Sequence, residues 1–282
     1  MKTLLYILPV LLMACGVQPP EITGDLPPLT KQIECLPKET AMISAHRGTA
    51  RGTGYAENSI EGLKALIKKG YLMAEIDIAR LKDNTHILYH DGVWEDGSTG
   101  KGAVAATTWK QAQTFLLKDP QGRFTSHKIP KLSDYLKTAA GKTYLEIDFK
   151  SSANYNYVID QIRKYGMSKH VILISYNKGQ AKKLSKLAPD MMISISTQRS
   201  HDTEGYSKGQ AAAWVGNAIT DKTLIARLEN ANIPILGKIG NQWNESSALN
   251  ADILVTDYAF KHRPITGLTR RNREDYQTCL DS

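Results

Sequence analysis

"LMAEIDIARLKDNTHILYHD", residues 72–91, decides the fold. It holds two β-rich apolar runs, LMAEIDIA and HILYH, with only RLKDNT between them. A parallel crossover needs a dozen or more residues, so this pair reads as an antiparallel hairpin. Similar runs recur along the chain: TAMISAH, YLEIDF, VILISY, MMISIS, AAAWVG, IPILG and DILVTD. Setting the hairpin's second strand aside leaves eight. Helical patterns lie between most of them, as in ANYNYVIDQIRKYG, NKGQAKKLSKLAPD and TDKTLIARLENANIP. Asn58-x-x-Glu61 is expected to cap a helix that carries Leu63, Leu66 and Ile67 on one face and closes at Gly70. Strand alternating with helix predicts a parallel α/β sheet. The count suits a (β/α)8 TIM-type barrel with an irregular second unit. A doubly wound open sheet is the alternative, but no glycine-rich dinucleotide fingerprint follows the first strand.

The length agrees. The chain has 282 residues, 41% of them hydrophobic, which suits one barrel domain of about 250 residues plus an extension. The expected organisation is a signal peptide over 1–14, a tether over 15–40 and the barrel over 41–282. MKTLLYILPVLLMACG has an early Lys2 and an apolar stretch too short to span a bilayer comfortably. Its ending, Leu12-Met13-Ala14-Cys15-Gly16, resembles a bacterial lipobox, in which the cysteine is lipidated. Pro19, Pro20, Pro27, Pro28 and Pro37 then mark the tether. A lipid plus a tether would hold the body in the bacterial envelope, expected on the periplasmic side of the outer membrane. With Cys15 taken by lipid, Cys35 and Cys279 remain near the two ends of the body, and a disulfide between them is expected in an oxidising compartment.

The net charge of +8 is scattered, in IKKG, AKKLSK and TRRNRE. Basic residues are not interleaved with aromatic ones, so no nucleic-acid partner is expected, and the body is expected to be a monomer.

In such a barrel the active site forms at the C-terminal ends of the strands. His46 and Arg47 end the first run, and His90 and Asp91 end HILYHD. Glu75 and Asp77 are two apart in AEIDI, so both face one side of the strand. LEIDFK repeats the spacing with Glu146 and Asp148, and Lys150 follows. Carboxylates inside β-runs are costly to bury unless something positive compensates them. An all-oxygen ligand set favours a hard cation, Mg²⁺ or Ca²⁺. His86, His127, His170, His201 and His262 lack such a setting and are expected to be structural or superficial.

From about Ala41 to Tyr258 the sequence resembles the glycerophosphodiester phosphodiesterases, barrel-fold metal-dependent hydrolases. The carriers are AHRG, ENS before a helix, EIDI, HD with TGKG downstream, IPKLSDYL, LEIDFK, ISYN and ILVTDY. The resemblance implies that His46 and His90 are the catalytic pair and that Arg47 binds phosphate. It implies that Glu75 and Asp77 are metal ligands and that Asp148 is the third, where the family usually has Glu. Glu146 is a further candidate ligand, Lys150 joins Arg47 in offsetting phosphate charge, and Glu57 supports the site. Asp96 and Lys131 replace the family's usual Arg and Thr, and ILGKIGN lacks its usual Trp. The implied function is hydrolysis of a small glycerophosphodiester to an alcohol and glycerol phosphate. The alternatives are a phospholipase D-like hydrolase of intact lipids or lysolipids, and a non-catalytic binding lipoprotein on a degenerate barrel.

Overall fold

A computed structural model describes residues 26–207, 209–243 and 250–282. The strands are β1 (Ala41–Ala45), β2 (Met73–Arg80), β3 (His86–Leu88), β4 (Leu116–Lys118), β5 (Phe124–Lys128), β6 (Tyr144–Phe149), β7 (Val171–Ser175), β8 (Met192–Ser196), β9 (Ala211–Gly216), β10 (Ile235–Lys238), β11 (Ile253–Thr256) and β12 (Ile265–Thr266). The helices are α1 (Leu29–Glu34), α2 (Ile60–Lys68), α3 (Trp94–Gly97), α4 (Trp109–Ala112), α5 (Leu132–Ala139), α6 (Tyr155–Lys164), α7 (Lys178–Leu187), α8 (Lys222–Asn230) and α9 (Arg270–Asp281).

Eight strands pair in parallel in the order β1-β11-β10-β9-β8-β7-β6-β2, and a β1–β2 pairing closes the ring. The barrel and its irregular second unit are as expected: β3 runs antiparallel on β2, with Ile78 opposite Leu88 and Arg80 opposite His86.

Alternation along the strands divides the interior from the outer shell. On β2, Ala74, Ile76 and Ile78 pack outward in a core that includes Leu63 and Leu66 of α2 and Tyr135 of α5. Met73 joins a separate inner cluster with Met42, Tyr144, Ile172, Met192, Leu236 and Ile253. That cluster plugs the N-terminal end of the barrel. Each such side chain, once buried, contributes about 1.5–3 kcal/mol. The same inward faces turn polar toward the C-terminal ends, where Ser44, Glu75, Glu146, Asp77 and Asp148 are buried.

Three features depart from expectation or extend it. First, the cap of α2 is Ser59, whose hydroxyl accepts the Gly62 amide at 3.0 Å, and not Asn58. Asn58 is drawn instead to Asp77, as set out below. Second, the segment expected as tether is packed from Leu26 onward. Leu29 and Ile33 of α1 enter the inner cluster, and Gln32 donates to the Tyr276 hydroxyl of α9. Helices α1 and α9 thus seal the barrel floor, where Cys35 and Cys279 form a disulfide with Cα atoms 5.6 Å apart. Third, the chain between β3 and α5 builds a small annex, which the strand count did not foresee. Its own core contains Ile87, Tyr89, Trp94, Val104, Ala112 and Leu117, and β4 and β5 form a two-stranded sheet beside it. The leader and Cys15 lie outside the described residues. Among the described residues, no helix is long and apolar enough to cross a membrane.

Candidate active site

Register places the acids. β2 and β6 are parallel neighbours with Glu75 opposite Glu146 and Asp77 opposite Asp148. Glu75, Asp77 and Asp148, all buried, bring one carboxylate oxygen each within 4.8 Å of one another. Glu146 stands outside that group, one alternation deeper than Asp148. Burial, and next the Asp77 charge, push the Glu75 carboxyl well above the ordinary carboxylate range. Burial raises Glu146 to about 7. Oδ1 of Asp148 and Oε1 of Glu146 are buried and have no hydrogen-bond partner. Orphaned carboxylate oxygens beside a carboxylate triad fit a hard divalent cation.

The positive charge that the chain supplies there is Lys150, with Nζ 2.7 Å from both Asp77 Oδ1 and Asp148 Oδ2. Burial lowers the Lys150 pKa, but the pull of Asp77 and Asp148 outweighs it and the net shift is upward. Asp148 Oδ2 also accepts the Tyr176 hydroxyl at 2.9 Å. Asn58 grips Asp77 twice: its amide donates to Oδ2 at 2.7 Å, and its carbonyl accepts the Asp77 backbone N–H at 3.0 Å.

The histidines stand at the rim. At the end of β1 the chain turns sharply, with Arg47 at φ 53° and Gly48 at φ 63°. The left-handed conformation is costly for Arg47, and it aims the Arg47 amide at Glu75 Oε2, 2.8 Å away. Gly48 is required: a Cβ there would lie 2.5 Å from the Tyr135 hydroxyl oxygen. His46 Nδ1 lies 2.6 Å from Asp257 Oδ1, just past β11, and its Nε2 is 3.8 Å from Glu75 Oε2. His90 Nδ1 lies 2.7 Å from Asp91 Oδ1, and its Nε2 lies 2.9 Å from Nη2 of Arg47. With each Nδ1–H donating to a carboxylate, proton exchange falls to Nε2, which accepts a proton when bare and donates one when the ring is an imidazolium. The bond from His46 holds the Asp257 carboxyl below its usual range, and that from His90 does the same for Asp91. Arg47 spans the rim, donating through Nη1 to Glu57 at 2.8 Å.

Of the site residues expected in the barrel mouth, His46, Arg47, Glu57, Glu75, Asp77, His90, Asp148 and Lys150 are in this cluster, whereas Glu146, the further candidate ligand, stands outside the triad. Asp257, Asn58 and Tyr176 belong to the cluster but were not singled out. Asp257 and Tyr176 each follow a strand directly, which is the signal that marked His46. The remaining histidines do other work. His86 accepts the Asn154 amide and stacks on Tyr157, His127 accepts the Ala56 amide, and His170 donates to the Leu26 carbonyl. His262 is buried against Trp243, and His201 is exposed.

Two imidazoles can exchange protons with a small anion, and an arginine, together with a cation held by the carboxylate triad, can offset its charge. Comparison with known proteins agrees. Residues 46–235 match the family model described as "Glycerophosphoryl diester phosphodiesterase family". A glycerophosphodiester phosphodiesterase of Caldanaerobacter subterraneus is 25% identical over 164 residues, 56% of this chain and 67% of that protein. Among solved structures, a glycerophosphoryl diester phosphodiesterase from Parabacteroides distasonis superposes with a TM-score of 0.71 at 24% identity, covering 90% of this chain and 93% of that one. A phosphodiesterase from Oleispira antarctica, solved in complex with the product sn-glycerol-3-phosphate, superposes with a TM-score of 0.62 at 17% identity, covering 89% and 99%. At these identities the superpositions establish a shared fold.

Proposed function

The chain belongs to the glycerophosphoryl diester phosphodiesterase family, and on that premise we propose that it hydrolyses glycerophosphodiesters by metal-dependent chemistry with two histidines as acid and base. The observation that carries the reading is the matched pair of imidazoles, each tied at Nδ1 to a carboxylate 2.6 or 2.7 Å away, with Arg47 2.9 Å from His90 and Glu75 of the triad 3.8 Å from His46. A diester phosphate is an anion that repels nucleophiles. Arg47 and Lys150 offset its charge as more negative charge builds on the phosphoryl oxygens. One imidazole takes a proton from the attacking hydroxyl through Nε2, and the other gives a proton to the departing alkoxide. Asp257 and Asp91 hold the rings and stabilise the imidazolium that each passes through.

Glu75, Asp77 and Asp148 would hold the Mg²⁺ or Ca²⁺. Bound there, it would supply Lewis-acid polarisation of a phosphoryl oxygen. Lys150 gives the triad a neutralising partner of its own, and Tyr176 and Asn58 keep the Asp148 and Asp77 carboxylates oriented. The attacking hydroxyl belongs either to water or to the substrate's own glycerol, and the arrangement serves both.

The first fifteen residues support envelope anchoring through a lipidated Cys15, with MKTLLYILPVLLMAC ending in the lipobox pattern. In detergent partitioning, wild type should enter the detergent phase and Cys15→Ser the aqueous phase; equal partitioning rejects the anchor. For the reaction, His46→Ala and His90→Ala should each lower kcat on the order of 10²-fold or more, with folding intact. Wild-type kcat in either variant contradicts its role.

A further inference from the structure

Two hollows flank the catalytic cluster, and their charge differs. One, of about 220 Å³, is of mixed charge: Arg47, Arg51, Lys118 and His90 line it together with four carboxylates, Glu57, Asp91, Asp96 and Asp119. The other, of about 410 Å³, lies across Lys150 and is lined also by Arg80, Lys183, Ser151, Asn154 and Tyr155. Among the described residues, no acidic one lines it.

Two of its three cations, Arg80 and Lys183, are not spent on carboxylates. Arg80 donates through Nη1 to the Asn84 side-chain oxygen at 3.2 Å, a neutral acceptor. The Lys183 ammonium lies 4.7 Å from the centre of the Tyr155 ring. Neither forms an ion pair among the described residues. Lys150 belongs to both places, since its Nζ lies 2.7 Å from Asp77 and from Asp148 and the residue also lines the hollow. A concave surface bearing like charges without counter-charges concentrates anions.

A phosphodiester carries an alcohol on each side of its phosphorus, so a diester seated at the cluster has one arm to reach past Lys150, the residue that the cluster shares with the second hollow. We propose that the hollow of Arg80 and Lys183 is a subsite for a second anionic group, phosphate or carboxylate, carried by the alcohol esterified to the glycerol phosphate. The inference rests on the proposed diester hydrolysis and specifies its substrate class. The hollow of mixed charge is left for the uncharged glycerol.

The test compares wild type with Arg80→Ala/Lys183→Ala on four glycerophosphodiesters, whose second alcohol is glycerol, choline, glycerol with a terminal phosphate, or glycerate. The variant should lose on the order of tenfold in kcat/KM, through KM, on the phosphate and carboxylate substrates. The glycerol and choline substrates should be unchanged. Raising salt should erode the wild-type preference and leave the variant flat. Calorimetric titration with glycerol 2-phosphate should show the same weakening in the variant, independently of turnover. If only the phosphate substrate responds, the subsite takes phosphate; if only the glycerate substrate responds, it takes carboxylate. Equal loss on all four substrates, or no loss on either anionic one, overturns the subsite. If no diester is hydrolysed, the functional reading fails, and unchanged binding of glycerol 2-phosphate then overturns the subsite as well.

Discussion

His46 and Asp257 are 211 positions apart in the chain and 2.6 Å apart in the barrel mouth. Closure of β1 against β11, which pairs Ala45 with Thr256, is what brings them together. Asp257 touches no reacting atom in the proposed reaction; it positions His46. Asp257→Asn should therefore lower kcat on the order of 10²-fold with KM little changed. Asp257→Glu should recover part of the loss, because its longer arm still accepts from Nδ1. A fall in KM with unchanged kcat, or no gain from Glu over Asn, would contradict positioning through the imidazole.

Glu146 carries the clearest pH signature. Burial raises its carboxyl from 4.5 to about 7 in the folded protein. The folded state therefore holds a proton that the unfolded chain releases between those values. Stability falls as pH rises through that window and levels off above it, by at most about 3 kcal/mol. In chelator-treated protein, Glu146→Gln should match wild type at about pH 5 and melt several degrees higher at about pH 8. Parallel melting curves across that range would show that Glu146 is not held protonated.

The disulfide at the barrel floor closes a separation of 244 residues. Chain-entropy reasoning assigns a loop of that size on the order of 5 kcal/mol, as an upper guide. The floor is at the opposite end from the catalytic cluster. Cys279→Ser should thus lower the melting temperature and spare kcat at moderate temperature. Thiol titration of the denatured, unreduced protein should find neither Cys35 nor Cys279 free. Loss of activity in a folded Cys279→Ser protein would tie the floor to the site.

The barrel was legible because each parallel strand is a compact apolar run, and because RLKDNT is too short to carry a crossover. The site residues were legible for a related reason. A charge in or directly after such a run breaks the pattern, as at His46, Glu75, Asp77, His90 and Asp148. What stayed hidden depends on tertiary contact. Asn58 is a good helix cap in isolation, but Asp77 offers it two hydrogen bonds and Ser59 takes over the cap. The prolines before Cys35 suggested an extended tether, yet Leu29 and Ile33 find the open floor of the barrel. The annex between β3 and α5 lacks long apolar runs, since FTSHK alternates with an exposed face. Its core around Trp94 comes from residues dispersed over turns.

Glu57 and Arg47 show how rim charges are shared. Arg47 gives one nitrogen to Glu57 and another to His90, while its Nε is buried without a partner. A phosphate oxygen would meet that guanidinium already held in place, so substrate binding needs little reordering of the rim.

In the proposed reaction the triad of Glu75, Asp77 and Asp148 holds the metal with which the two histidines work. The most direct measurement is release of glycerol phosphate from glycerophosphoglycerol by chelator-treated wild-type protein, before and after Mg²⁺ or Ca²⁺ is restored, alongside Asp148→Asn. Chelation should abolish activity, one of the two ions should restore it, and Asp148→Asn should show no comparable recovery. Undiminished release by metal-free protein, or full recovery of Asp148→Asn, would contradict that role of the triad.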